Sequence, residues 1–277
     1  MDDLGGYRFL VTGANTGIGR ATAHALAARG GRVVLACRSE ARTTPVIDAI
    51  REDTGNDAVE YLPLDLGDLD SVRTAAATLL DRAEPLHVLV NNAGVGGQRG
   101  QTTQGFELQF GVNHLGHFLL TTLLLDRLRE SAPARIVNVS SDAHYRARHI
   151  DFAALQQATA SVSGTREYGV SKLCNVLFTQ ELARRIPPDE VSAYALHPGV
   201  IASDIWRRIP WPARPVIKLV MKSPEEGAAT SLYCATAPVL DGVSGRYYVN
   251  CDERTPSSAA TEELGGELWQ RSDDWTR

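Results

Sequence analysis

Short runs dense in Val, Ile, Leu and Tyr recur along the chain with helical patterns between them. The runs lie at Tyr7 to Thr12, Arg32 to Cys37, Val59 to Leu64, Leu86 to Val90, Ala134 to Ser140, Val191 to Leu196 and Arg246 to Val249. Continuous apolar runs of this length suit strands buried on both faces. The stretches Ile18 to Arg29, Ala41 to Glu52, Leu69 to Ala83, Phe106 to Arg129, Tyr168 to Arg185 and Glu225 to Ala235 have the length and composition of helices. The alternation predicts an α/β fold, a Rossmann-type doubly wound parallel sheet of about seven strands with helices on both faces. Nothing in the interior reads as a linker, so residues 1–277 are expected to form one domain.

Two irregular stretches break the alternation, at 142–167 and 203–223. The second holds Trp206, Trp211, Pro210, Pro212 and Pro215, which suits either a mobile lid over a pocket or a loop packed on its own domain. The polar tail 252–277, with one short helical patch, is expected against the domain edge.

Composition narrows the function. The net charge is −5 and the arginines are scattered, which argues against a nucleic-acid partner and favours a small-molecule substrate. No span of about 18 apolar residues occurs, so no integral membrane segment is expected. The chain opens without a basic leader or cleavage site. Cys37, Cys174, Cys234 and Cys251 lie far apart and read as reduced thiols of a cytoplasmic protein. His114 and His117 are the closest histidine pair, with no carboxylate or cysteine to complete a metal set.

Candidate chemistry gathers after the strands, where open sheets of this type bind ligands. The first run leads into Gly13, Ala14, Asn15, Thr16, Gly17, Ile18 and Gly19. A glycine turn between strand and helix lets a pyrophosphate approach the backbone at a helix N-terminus. The second strand ends at Arg38, whose planar fork suits a 2′-phosphate, so NADP(H) is expected over NAD(H). Glu40 argues the other way, and Arg20 could assist Arg38. Tyr168 and Lys172 stand four apart on one helix face, in a chain with only three lysines. An ammonium there can lower a phenol pKa and donate to a ligand.

Together the glycine turn, Asn91-Asn92-Ala93-Gly94 and Tyr168-x-x-x-Lys172 strongly resemble the classical short-chain dehydrogenases/reductases, over nearly the whole chain. The segments Val112 to Thr121, Val137 to Ser141 and Lys172 to Leu182 are similar to the retinol dehydrogenase and carbonyl reductase branch, which commonly prefers NADP(H). The resemblance implies a tetrad of Asn113, Ser141, Tyr168 and Lys172. Tyr168 would be the acid in carbonyl reduction and the base in alcohol oxidation, and Lys172 would lower its pKa and hold the nicotinamide ribose. Ser141, with Ser140 as the alternative, would donate to the substrate oxygen. Asn113, at a kink in a long helix, would position a water linking Lys172 to solvent.

The resemblance further implies cofactor contacts from Asp65, Leu66, Asn91, Ala93 and Gly94. Pro198, Gly199, Val200 and Ser203 would line the nicotinamide, although the family often has Thr in place of Ser203. The gap from Ser141 to Tyr168 is long for the family but suits this branch, and Tyr145 reads as a pocket residue.

The leading expectation is an NADP(H)-dependent carbonyl reductase or alcohol dehydrogenase acting on a moderately large apolar ketone, aldehyde or alcohol. The Ala- and Arg-rich composition suggests a high-G+C bacterial source and a ketoreductase of secondary metabolism. The alternatives are a retinol dehydrogenase-like enzyme at a membrane surface and a non-catalytic NADP(H) sensor. The resemblance also implies pairing of the helices at 106–129 and 168–185 in a homo-dimer or homo-tetramer.

Overall fold

The computed structural model describes residues 3–199 and 223–277. Val200, Ser203 and nearly all of the expected lid lie outside the described residues. Eight strands form one sheet: β1 (Arg8–Thr12), β2 (Arg32–Cys37), β3 (Val59–Pro63), β4 (Val88–Asn91), β5 (Ala134–Val139), β6 (Val191–His197), β7 (Arg246–Val249) and β8 (Asp252–Arg254). Their order is β3-β2-β1-β4-β5-β6-β7-β8. All neighbours are parallel except β7 and β8.

Successive side chains on each strand point to opposite faces, which builds two cores. Leu10, Val34, Leu62, Leu89 and Ile136 face one layer. Phe9, Val11, Val33, Leu35, Val88 and Val137 face the other. The layers hold α1 (Gly17–Ala27), α2 (Glu40–Thr54), α3 (Leu69–Asp81), α4 (Leu108–Phe110), α5 (Gly116–Glu130), α6 (Thr165–Arg185), α7 (Pro224–Thr236) and α8 (Glu262–Thr276). The order of pairing reverses between β1 and β4, which opens a crevice at their C-terminal ends.

Three features differ from the sequence pattern. The single helix expected over 106–129 is broken by a π turn, Gly111–Leu115, between α4 and α5. Glycines permit the close approach there: a Cβ on Gly116 would stand 2.4 Å from the Leu66 carbonyl oxygen. An extra residue in one helical turn leaves hydrophobic periodicity almost unchanged, so the pattern does not reveal it.

The eighth strand is three exposed residues without alternation. The tail also forms a full helix rather than a short patch. Leu268 is buried, and Trp269 packs edge-on to Phe118 at 5.1 Å and beside Phe178 at 5.8 Å. Gly265 lets α8 close on α6, because a Cβ would stand 2.9 Å from Glu181 Oε1. The glycines and charges of α8 hide this stripe from a composition reading.

Leu268→Ala should therefore cost about 3 kcal/mol, by lost burial plus a cavity. Urea denaturation of parent and variant measures it; a loss under 1 kcal/mol would show that α8 docks only loosely.

Candidate functional site

The turn after β1 sits at the crevice, and each glycine has its own reason. Gly13 has φ +65°, and a Cβ on it would lie 2.9 Å from Ala93. A Cβ on Gly19 would lie 2.4 Å from Asn92 Nδ2 and 2.6 Å from the Gly13 carbonyl. Gly17 also has positive φ but faces open space. Asn15, Thr16 and Ile18 complete the turn. Thr16 makes no side-chain cap at the start of α1, whose first turn carries no acidic residue. An uncapped helix N-terminus of this kind, with no acidic residue beside it, favours an anion and fits a diphosphate, so these residues suit a dinucleotide.

The hydroxyl of Thr12 holds the turn to the end of β4. It accepts from Asn92 N and Ala93 N, both at 2.9 Å, and lies 2.8 Å from His117 Nε2. His117 Nδ1 stands 3.0 Å from the Asn113 carbonyl oxygen, which can only accept. Nδ1 therefore carries the proton, and Nε2 accepts from Thr12. Burial pushes the His117 pKa down to about 4, which keeps the ring neutral in this role.

Asn113 lies in the π turn. Its Oδ1 accepts from Val95 N at 2.8 Å, and its Nδ2 donates to the Val95 carbonyl and to Ser171 Oγ, each at 2.9 Å. This side chain clamps the loop after β4 to α6, beside Lys172. A Cβ on Gly94 would touch both Asn113 Oδ1, at 3.3 Å, and Lys172 Nζ, at 3.5 Å. The ammonium is buried, donates to the Val139 carbonyl at 2.9 Å and lies 5.6 Å from the Tyr168 ring centre.

Burial raises the Tyr168 phenol pKa, and a hydrogen bond to the Ser141 side chain works the other way. Ser141 is held by His144, whose Nδ1 donates to the Ser141 carbonyl at 2.7 Å and whose Nε2 accepts from Ser257 N at 3.1 Å. Ser140 instead turns inward and donates to the Lys172 carbonyl at 2.7 Å. Among the four tetrad candidates, Asn113, Ser141, Tyr168 and Lys172 all meet on one side of the β5 and β6 ends.

The remaining candidates divide. Arg38 follows β2 with its side chain 78% exposed, 3.9 Å from Asp65. Asp65 Oδ1 accepts from Gly67 N, and Leu66 is buried in the core. Asn91 turns its amide into the sheet, donating to Thr121 Oγ1 at 3.0 Å and Asn138 Oδ1 at 2.8 Å. Its neighbour Asn92 reaches the glycine turn instead, donating to the Thr12 carbonyl at 2.8 Å. Pro198 and Gly199 follow β6. Tyr145 is tied by its hydroxyl to the Thr255 carbonyl at 2.6 Å.

Thr12, Asn92, His117 and His144 were not singled out for the site by the sequence. His117 stands four residues after Asn113, the spacing that places two helix residues on one face, and that was the available signal. The Asn92 partner of Thr12 and the Ser257 partner of His144 lie 80 and 113 residues away and gave none.

Residues 8–211 match the model of the short chain dehydrogenase family. The chain belongs to this family. It is 47% identical to retinol dehydrogenase 12 of Mus musculus, over 95% of this chain and 84% of that protein. Retinol dehydrogenase 13 of Homo sapiens is 45% identical over 96% of this chain and 83% of its own length. A solved protein from Mycobacterium Paratuberculosis, of uncharacterized function, superposes with a TM-score of 0.79 at 31% identity, covering 100% of this chain and 95% of its own. This short-chain dehydrogenase is accordingly an oxidoreductase acting on CH–OH and C=O groups, in a family that binds a nicotinamide cofactor. Among the described residues no helix is long and apolar enough to cross a membrane.

The buried ammonium gives a pH test. Burial lowers the Lys172 pKa from 10.5 to about 8. Between those values the unfolded chain keeps a proton that the folded chain has released, so this group's penalty persists below pH 8 and fades toward pH 10. Lys172→Met should be more stable than the parent at pH 7 by on the order of 2–3 kcal/mol, with the gap closing from pH 8 to 10. Urea titrations across that range read it directly; a gap that stays constant with pH would contradict it.

Proposed function

We propose that this oxidoreductase is an NADP(H)-dependent carbonyl reductase or alcohol dehydrogenase in which Tyr168 is the general acid and base. The reading rests most on one observation: the half-buried Tyr168 phenol, whose pKa burial raises and the Ser141 side chain lowers, stands one helical turn from the buried Lys172 ammonium, which lies 5.6 Å from the phenol ring centre. A raised phenol pKa keeps the proton available for donation to a carbonyl oxygen. Ser141 would donate to that oxygen as negative charge develops, a contribution typically worth several kcal/mol in such sites. In the oxidation direction Tyr168 would take the proton of the alcohol, aided by the neighbouring ammonium.

The glycine turn and α1 would hold the diphosphate, Lys172 the nicotinamide ribose, and Pro198 and Gly199 the nicotinamide side. When bound, the nicotinamide supplies or accepts the hydride. Arg38 supports NADP(H) over NAD(H). It is exposed after β2 and only loosely paired with Asp65, so its guanidinium is available to a 2′-phosphate.

The names of the relatives favour a second reading on the substrate, a retinol dehydrogenase-like enzyme acting on retinoid or lipid aldehydes. Side-by-side turnover of all-trans-retinal and of small apolar ketones separates the two.

Tyr168→Phe should lower kcat/KM by about 10²–10⁴ while NADPH binding, followed by its fluorescence, stays within about twofold. Retained turnover would remove Tyr168 from the chemistry. Arg38→Asp should weaken NADPH binding by about tenfold or more and leave NADH binding nearly unchanged. Equal effects on both cofactors would contradict the assignment of Arg38.

A further inference from the structure

A pocket of about 370 Å³ opens between residues 146–149 and the first turns of α6, the helix that carries Tyr168. The exposed Arg146, Arg148, His149 and Arg166 line it together with Thr165 and Gly169, and no carboxylate stands in its wall. None of the three arginines forms an ion pair among the described residues. Elsewhere Arg127, Arg129, Arg135, Arg184 and Arg185 each pair with a carboxylate.

The acids near the pocket are engaged. Glu167 accepts from Ser161 N at 3.0 Å and from the Ser161 hydroxyl. Its carboxyl, which burial would raise, is held below the ordinary value by those bonds and by Arg166. Asp151 caps Ala153 N and Ala154 N, and Asp142 pairs with His197 and Tyr247. The 21-residue α6 also begins here, with Gly164 lacking any side chain to cap it. Thr165 N reaches Ser163 Oγ only at 3.4 Å, so the positive end of the helix adds to the arginines.

Unpaired guanidinium forks around a cavity at a helix start form a site for an oxyanion. We propose that this pocket binds the far end of the substrate: a carbonyl compound whose apolar chain ends in a carboxylate or phosphate. The inference rests on Tyr168 as the acid and base, and refines the substrate class. The pocket is bounded by Thr165, Arg166, Gly169 and Val170, within one turn of Tyr168 along α6 but around its circumference. A helix with side chains is about 10–12 Å across, so several carbons must separate carbonyl from anion. A wholly apolar retinoid would give these charges nothing to bind.

The test compares nonanal with 9-oxononanoate, using NADPH, in the full chain. The parent should favour 9-oxononanoate by about tenfold in kcat/KM, mainly through KM. Arg148→Ala and Arg146→Ala should each bring that ratio close to one, and Arg148→Lys should keep part of it. A parent ratio near one, or a ratio that neither alanine variant moves, overturns the subsite while leaving carbonyl reduction intact. If neither aldehyde turns over, the reading of the substrate as a simple carbonyl compound fails, and titration calorimetry with nonanoate still decides the subsite. Nonanoate should bind the parent about tenfold tighter than Arg148→Ala; equal binding, or none, overturns it.

Discussion

The hydroxyl of Thr12 is the contact on which the site depends. It stands at the end of β1, where the pairing order of the sheet reverses, and gathers two backbone N–H groups from the end of β4 and one histidine from α5. Through His117 the same hydroxyl reaches the carbonyl of Asn113 in the π turn. The glycine turn, the loop after β4 and the broken helix are thereby fixed against each other without any charged group. Gly13 and Gly19 make the approach possible, because a side-chain carbon on either would collide with Ala93 or Asn92. Neutral, fully satisfied hydrogen bonds suit this place, since an unpaired polar group at such depth would cost about 1–3 kcal/mol.

Lys172 and Tyr168 obey the opposite rule. Lys172 is buried and Tyr168 half-buried, and both have pKa values displaced by burial, the ammonium downward and the phenol upward. Neither displacement stabilises the fold. An ammonium held in a costly state beside a phenol whose ionisation is disfavoured, in an otherwise satisfied core, is what a proton-transferring site requires. The surrounding structure tolerates this because Val139 offers a carbonyl to the ammonium, and Asn113 ties the adjacent Ser171 to the loop beside Gly94. Stability is given up at one place and supplied by the two apolar layers on either side of the sheet.

Most of the sheet was legible in the sequence because strands buried on both faces leave uninterrupted apolar runs. The glycine turn and the Tyr168 and Lys172 pair were legible because their meaning is local, set by spacing within one turn or one loop. The apolar pattern did not show the π turn, since one inserted residue barely disturbs a helical period; only the resemblance implied a kink at Asn113. His117 and His144 were passed over for a related reason: beside their local bonds to Asn113 and Ser141, each reaches a distant partner, Thr12 or Ser257, of which sequence proximity carries no trace. Asn91 shows the limit of a motif. The resemblance implied a place beside the cofactor; its amide bridges Thr121 and Asn138 inside the sheet, which leaves its main chain for such a contact, and Asn92 meets the turn.

The C-terminal helix shows how a polar segment can complete a core. The resemblance implied that the helices at 106–129 and 168–185 pair across subunits in many members of the family, monomers also occurring. In this chain Phe118, Phe178 and His114 of that region are met by Leu268, Trp269 and Ser272 of α8. Arg185 lies over the Trp269 ring at 4.3 Å, closing the outer edge of the contact. The faces of α8 explain its composition: a narrow apolar stripe packs inward, and the charges that made the tail look merely polar face solvent. Helix α8 thus holds α6 from the side opposite the sheet, and α6 carries Tyr168 and Lys172. The rigidity that proton transfer requires of this pair is therefore supplied in part by residues about a hundred positions downstream.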